Sequence, residues 1–142
     1  MEMAIALPLM LLVIAGVVDL GFLFWEKEVL TNAAREGARA GVQGKISGSS
    51  YTALFTETEV RTRMQTYLTN MNIKDAVGSP IALTSSNSTF TWDTTVTPPR
   101  LTVTLQNIPV KLMMLPKVQS LFAGGIGNIL YLNAKCTMAR EW

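Results

Sequence analysis

From Met3 to Trp25 the chain reads MAIALPLMLLVIAGVVDLGFLFW, and Asp19 is the only ionisable side chain in that run. A helix over this stretch rises about 35 Å at 1.5 Å per residue, enough for a bilayer core about 30 Å thick. Phe22, Phe24 and Trp25 close it with aromatic residues suited to a membrane–water boundary. A cleaved secretory signal is the alternative. It wants a basic start, a shorter apolar run and a small-residue cleavage site. The acidic Glu2 and the lack of an Ala-x-Ala pattern after Trp25 weigh against it.

The helical pattern continues past the apolar run. EKEVLTNAAREGARAGVQ carries Val29, Ala33, Ala40 and Val42 among charges, and no proline interrupts it before the breaker-rich Gly44–Gly48. One rod from about residue 2 to 43 would be about 60 Å long, with Pro8 bending it or opening its backbone bonds locally. Its upper half is too polar for lipid and must lie against something. The expected organisation is a helical stalk over 1–43, with 3–25 as transmembrane or filament-core segment, and a globular head over 44–142.

In the head, Tyr51, Leu54, Phe55, Val60, Met64, Tyr67, Leu68 and Met71 recur at helical spacing and predict a second, amphipathic helix over 50–71. Phe90, Trp92 and Val96, then Leu101, Val103 and Leu105, alternate with threonines as two half-buried strands joined by a turn at Pro98-Pro99. Leu130, Leu132, Ala134, Cys136 and Met138 mark one face of a closing strand. Between them, Pro109 and Pro116 argue against a central strand and leave a short helix with turns. The fold class is therefore α+β: a long N-terminal helix, and a second helix packed on a small antiparallel sheet.

Composition excludes several functions. Charged residues make up 15% of the 142, against about 25% in an average soluble domain. Net charge is +2, so the chain is no polybasic nucleic-acid binder. There is no His, which removes the commonest general base and metal ligand. A single cysteine leaves no internal disulfide or Cys-rich zinc site, and Cys136 reads as a core residue rather than a reactive thiol. Glu57 and Glu59 stand two apart on a helix and point different ways. No phosphate loop, nucleophile elbow or metal spacing appears. The expectation is no enzyme, with no catalytic, cofactor or metal site.

Glu2-Met3-Ala4-Ile5-Ala6-Leu7-Pro8, Val18-Asp19-Leu20-Gly21 and Leu30-Thr31-Asn32-Ala33-Ala34-Arg35-Glu36-Gly37-Ala38-Arg39 together resemble the TadE-like family of the tight-adherence (Tad) pilus system, with a type IV pilin-like N-terminus. The closing LNAKCTMARE is similar to the family's terminal strand. The resemblance implies a pseudopilin handled by a prepilin peptidase and the pilus assembly machinery, and devoted to assembly rather than catalysis.

Candidate residues follow from these readings. Glu2 either marks the positive end of the helix dipole or pairs between subunits, where an unpaired carboxylate would be costly. Asp19 costs about 3 kcal/mol inside a membrane helix on insertion scales. It either snorkels to the boundary or contacts a neighbouring subunit, with Lys27 or Asn32 as partners. Ala33, Ala34, Gly37, Ala38 and Gly41 form a small-residue stretch suited to close stalk-to-head packing, or to a fraying helix end. Residues 108–123 hold more apolar side chains than one small core needs. Met113, Met114 and Leu115 are the expected contact with an adjacent subunit, the alternative being a loop folded under the head. Asn87-Ser88-Thr89 is a formal glycosylation sequon.

The function expected is a structural, pilin-like subunit. It rests in the bacterial inner membrane, then polymerises with identical subunits through its N-terminal helix into a cell-surface filament. Two rivals keep the helix: a minor pseudopilin that primes or caps assembly, and a single-span anchored binding domain.

Overall fold

A computed structural model describes residues 2–47, 50–119 and 129–140. Helix α1 runs unbroken over Glu2–Val42 with Pro8 inside it. A hairpin follows, β1 (Gly44–Ser47) and β2 (Ser50–Ala53), closed by the Leu54 N–H donating to the Gln43 carbonyl at 3.1 Å. Then come α2 (Glu57–Asn70), β3 (Ser88–Asp93), β4 (Arg100–Lys111), a short α3 (Leu115–Gln119) and β5 (Ile129–Ala139). Strands β3, β4 and β5 form one antiparallel sheet in that order. Both α1 and α2 belong to its core, so the α+β architecture expected from the sequence is the one found.

The upper half of α1 supplies Leu30, Ala33, Ala34 and Ala38, spaced to share one helical face. They meet Met64 and Leu68 of α2, and Leu101, Val103 and Leu105 of β4, all within one buried cluster. Cys136 and Met138 of β5 pack against its edge.

Helix α2 begins later than its hydrophobic spacing suggests. Residues 50–53 are strand β2, and the helix starts only where Thr56 and Glu59 form a capping box. Tyr51, Leu54 and Phe55 mimic the helical period but precede this start. At the far end the Asn72 N–H donates to the Thr69 carbonyl and the Ile73 N–H to the Leu68 carbonyl. Asn72 takes φ 54°, a left-handed turn that asparagine tolerates better than most residues.

Proline 109 lies inside β4, the middle strand of the sheet, contrary to expectation. The reason is local. β3 pairs with β4 only as far as Leu105, so at Pro109 strand β4 has β5 (Tyr131) on one side and no other described strand on its opposite edge. A residue without an N–H is tolerated at such an edge. Just before it, Gln106 and Asn107 oppose the single residue Asn133, a bulge in which Asn107 has φ 53° and donates its N–H to Asn133 Oδ1 at 2.8 Å. The extra residue shifts the alternation, so the inward set Leu101, Val103, Leu105 continues as Ile108, Val110, Leu112. Trp92, which the alternation with threonines puts on the inward face of a half-buried strand, is instead 39% exposed.

The stalk is not bare below the head. A transmembrane or filament-core reading of 3–25 leaves that segment to lipid or to other chains, yet Ala15 and Asp19 are buried by the chain itself and α3 packs on α1. The strand-and-helix path through Lys111 to Leu115 carries the head down along the apolar run.

Candidate functional site

Asp19 is 1% exposed. Its Oδ1 accepts the Met113 N–H at 3.1 Å and the Met114 N–H at 2.9 Å. Its Oδ2 accepts the Leu115 N–H at 2.6 Å and a second contact from Met114 at 3.1 Å. These amides open α3, where helix geometry leaves the N–H groups without intrahelical partners and concentrates positive partial charge. A carboxylate is the acceptor such an end prefers, and hydrogen bonds to a charged group contribute about 1.5–3 kcal/mol each. Asp19 therefore caps, from α1, a helix that follows it by more than ninety positions.

The expected partners of Asp19, Lys27 or Asn32 of a neighbour, are replaced by this internal contact. Asn32 Oδ1 instead accepts from Arg35 Nη1 at 3.2 Å, and Lys27 is exposed, its carbonyl accepting the Thr31 hydroxyl at 2.8 Å. The sequence held one signal for the true arrangement. Residues 112–116 read Leu-Met-Met-Leu-Pro, a helix start with proline in its first turn and no Ser, Thr, Asp or Asn to cap it. Such a start needs a cap from elsewhere.

The remaining N–H positions of 113–117 are also accounted for. Pro116 has no N–H, and the Lys117 N–H donates to the Met114 carbonyl at 3.1 Å. The side chains point a different lesson: Met113 is 55% and Met114 47% exposed, while Leu115 is half-buried. Leu112 and the preceding Val110 are buried in the head.

Along α1 the exposed surface is apolar from Leu7 to Trp25, with Leu9, Met10, Val13, Val17 and Phe24 each more than half exposed. Gly16 and Gly21 have open space where a Cβ would stand. Pro8 is half-buried on this segment, and Glu2 opens the helix with its side chain outside the described residues.

Further up, the small residues sit where neighbours press closest. Ala33, Ala34 and Ala38 are fully buried. A Cβ on Gly37 would collide with Sδ and Cγ of Met64 in α2, and one on Gly41 with Cδ2 of Leu101 in β4. Gly37 thus faces the second helix rather than the sheet, while Gly41 faces the sheet. Near Gly41 an apolar groove of about 240 Å³ is lined by Phe55, Val60, Phe90, Trp92 and Leu101, with Glu57 at its edge.

The polar groups of the head serve structure. Buried Ser88 donates to the Thr84 carbonyl at 2.6 Å and accepts Arg61 Nε at 2.8 Å, with the Arg61 guanidinium over the Phe90 ring. Asn87, the sequon residue, spends its amide on Thr84 N–H and the Ala82 carbonyl. Among the described residues no cluster of His, Cys, Asp or Glu is arranged to hold a metal ion.

Among the described residues one helix is long and apolar enough to cross a membrane, and it carries an α+β head on its upper half. The family model described as TadE-like protein matches residues 1–39, the greater part of α1. No curated protein and no solved structure matches the chain. The match covers the N-terminal segment, and the strands and second helix of the head lie outside it.

Proposed function

We propose that this chain is a pilin-like subunit of the Tad pilus, held in the bacterial inner membrane by residues 3–25 and then polymerised through the same helix into a surface filament. The observation that carries the reading is the continuous exposed apolar face of α1 below a folded head. Transfer from lipid to a packed helical core keeps that face out of water in both states, so the hydrophobic stabilisation is conserved. Glu2, Pro8 and Lys27 then lie at subunit contacts along α1. Asp19 acts indirectly, by holding Met113, Met114 and Leu115 on the same side of the molecule. A prepilin peptidase and the assembly machinery are the transient partners.

The internal engagement of Asp19 favours a second reading as well. A subunit whose intramembrane carboxylate needs no neighbour is stable alone, as a minor pseudopilin that primes or caps assembly would have to be. Quantitative mass spectrometry of sheared surface filaments beside the membrane fraction separates the two. A major subunit dominates the filament fraction; a minor one is scarce there and abundant in the membrane.

A further inference from the structure

We propose that the turn at Leu112–Lys117 is a second membrane contact of the unassembled subunit, inserted into the outer part of the bilayer beside α1. This rests on the reading of residues 3–25 as a membrane anchor.

The depth of the turn follows from the helix it is tied to. Asp19 lies six positions before Trp25, which places it about 9 Å nearer the membrane centre at 1.5 Å per residue. The amides of Met113 to Leu115 are bonded to its carboxylate at 2.6–3.1 Å, so the turn shares that level. A shallower seating of α1, with Asp19 at the water boundary, would leave only Met3–Val18 in lipid. That is about 24 Å of helix against a hydrocarbon core about 30 Å thick. It would also put Phe22, Phe24 and Trp25, all exposed on the chain, into water. Seating the boundary at Trp25 and the Glu26-Lys27-Glu28 triplet avoids both.

The turn is built for that medium. A backbone N–H without a partner is costly in hydrocarbon, which is why irregular backbone there needs protein partners. Every N–H from 113 to 117 has one or is missing by chemistry: three meet Asp19, Pro116 has none, and Lys117 donates to Met114. The exposed apolar side chains of the turn are those of Met113 and Met114, two adaptable groups, and the exposed Lys117 beside them has a four-carbon stem that lets its ammonium reach toward the headgroups. Interfacial segments of this kind bury their apolar side about 5–10 Å deep, the level reached here. Asp19 and the turn thus solve each other's problem: the carboxylate gains donors, and the amides gain an acceptor, without water.

The test uses the full chain in the Cys136→Ser background. A polarity-sensitive fluorophore is placed on Met114→Cys, Met113→Cys, Val17→Cys or Thr94→Cys, and each protein is reconstituted into phosphatidylcholine–phosphatidylglycerol vesicles. Quenching is read with phosphatidylcholine brominated near the top of the acyl chain, with the same lipid brominated near its end, and with aqueous iodide. Exposed Thr94 directly follows β3, beside the Arg100 end of β4 and so about 35 Å from the turn at 3.3 Å per residue, and reports on water. The proposal predicts that labels at 113 and 114 lose most of their emission to the shallow bromines and little to iodide. Iodide quenching at 113 and 114 beside lipid quenching at Val17 overturns it while leaving the anchor intact. Protection from both quenchers, with cross-linking to a second copy, also overturns it. Loss of lipid quenching at Val17 itself overturns the anchor reading instead.

Discussion

The Oδ2 atom of Asp19 lies 2.6 Å from the backbone nitrogen of Leu115, and this contact fastens the head to the apolar half of α1. A carboxylate in the middle of an apolar run and a helix start with no cap of its own are two defects when read apart. Together they form a closed arrangement in which three amides and one charge satisfy each other.

Asp19→Asn is therefore expected to destabilise the chain by about 2 kcal/mol, and Asp19→Leu by about 4, because Asn retains one carbonyl acceptor and Leu none. The check is hydrogen exchange on the full chain in micelles. The amides of Met113, Met114 and Leu115 should exchange faster in both variants, while those of Leu68 and Val103 change only with global stability.

Gly37→Ala is expected to cost about 1–3 kcal/mol, since its new methyl overlaps Met64 in a closed part of the core. Met64→Ala should cost about 2–5 kcal/mol by leaving a cavity. The double variant should cost less than the two single losses added, because each change relieves the other. A double-mutant cycle by thermal unfolding measures this, and strict additivity would show that the two positions do not touch.

Much of this fold is legible from residue order alone. The length and apolarity of Met3–Trp25 leave few choices but a helix, and the alternation of Leu130 to Met138 marks β5. Other features depend on context that no short window holds. The bulge at Asn107 shifts the phase of β4, which hides a strand that would otherwise continue visibly past Leu105. Pro109 looks forbidding only if a middle strand is paired on both sides along its whole length. Helix α2 starts only after its N-cap Thr56 because a capping box outweighs the helical spacing of Tyr51 and Leu54. The contact of Asp19 leaves the least trace in residue order. Its partners are backbone amides, and backbone amides carry no residue code.

The capping box has its own signature in pH. The Thr56 backbone N–H and hydroxyl both donate to Glu59 and hold its carboxyl below the usual value of 4.5. A folded pKa below the unfolded one means that the stabilisation is present above pH 4.5 and is lost as pH falls through the folded value. Thermal unfolding against pH should show this acid slope in the parent and a flatter one in Glu59→Gln, which keeps a capping acceptor but does not titrate. Thr56→Ala should lower stability by about 1 kcal/mol at neutral pH.

The central claim is that the exposed apolar face of α1 is the surface through which the chain is anchored and then polymerised. Val17 stands in the middle of that face, 65% exposed and away from the Asp19 contact. Val17→Lys places a charge there at a cost of about 3 kcal/mol in a bilayer centre while touching nothing in the head. The decisive measurement is the amount of this chain in the sheared surface-filament fraction of cells carrying Val17→Lys or the parent protein at equal expression. The variant is expected to be lost from that fraction while its head stays folded; filaments of parental yield containing Val17→Lys would contradict a role for this face in polymerisation.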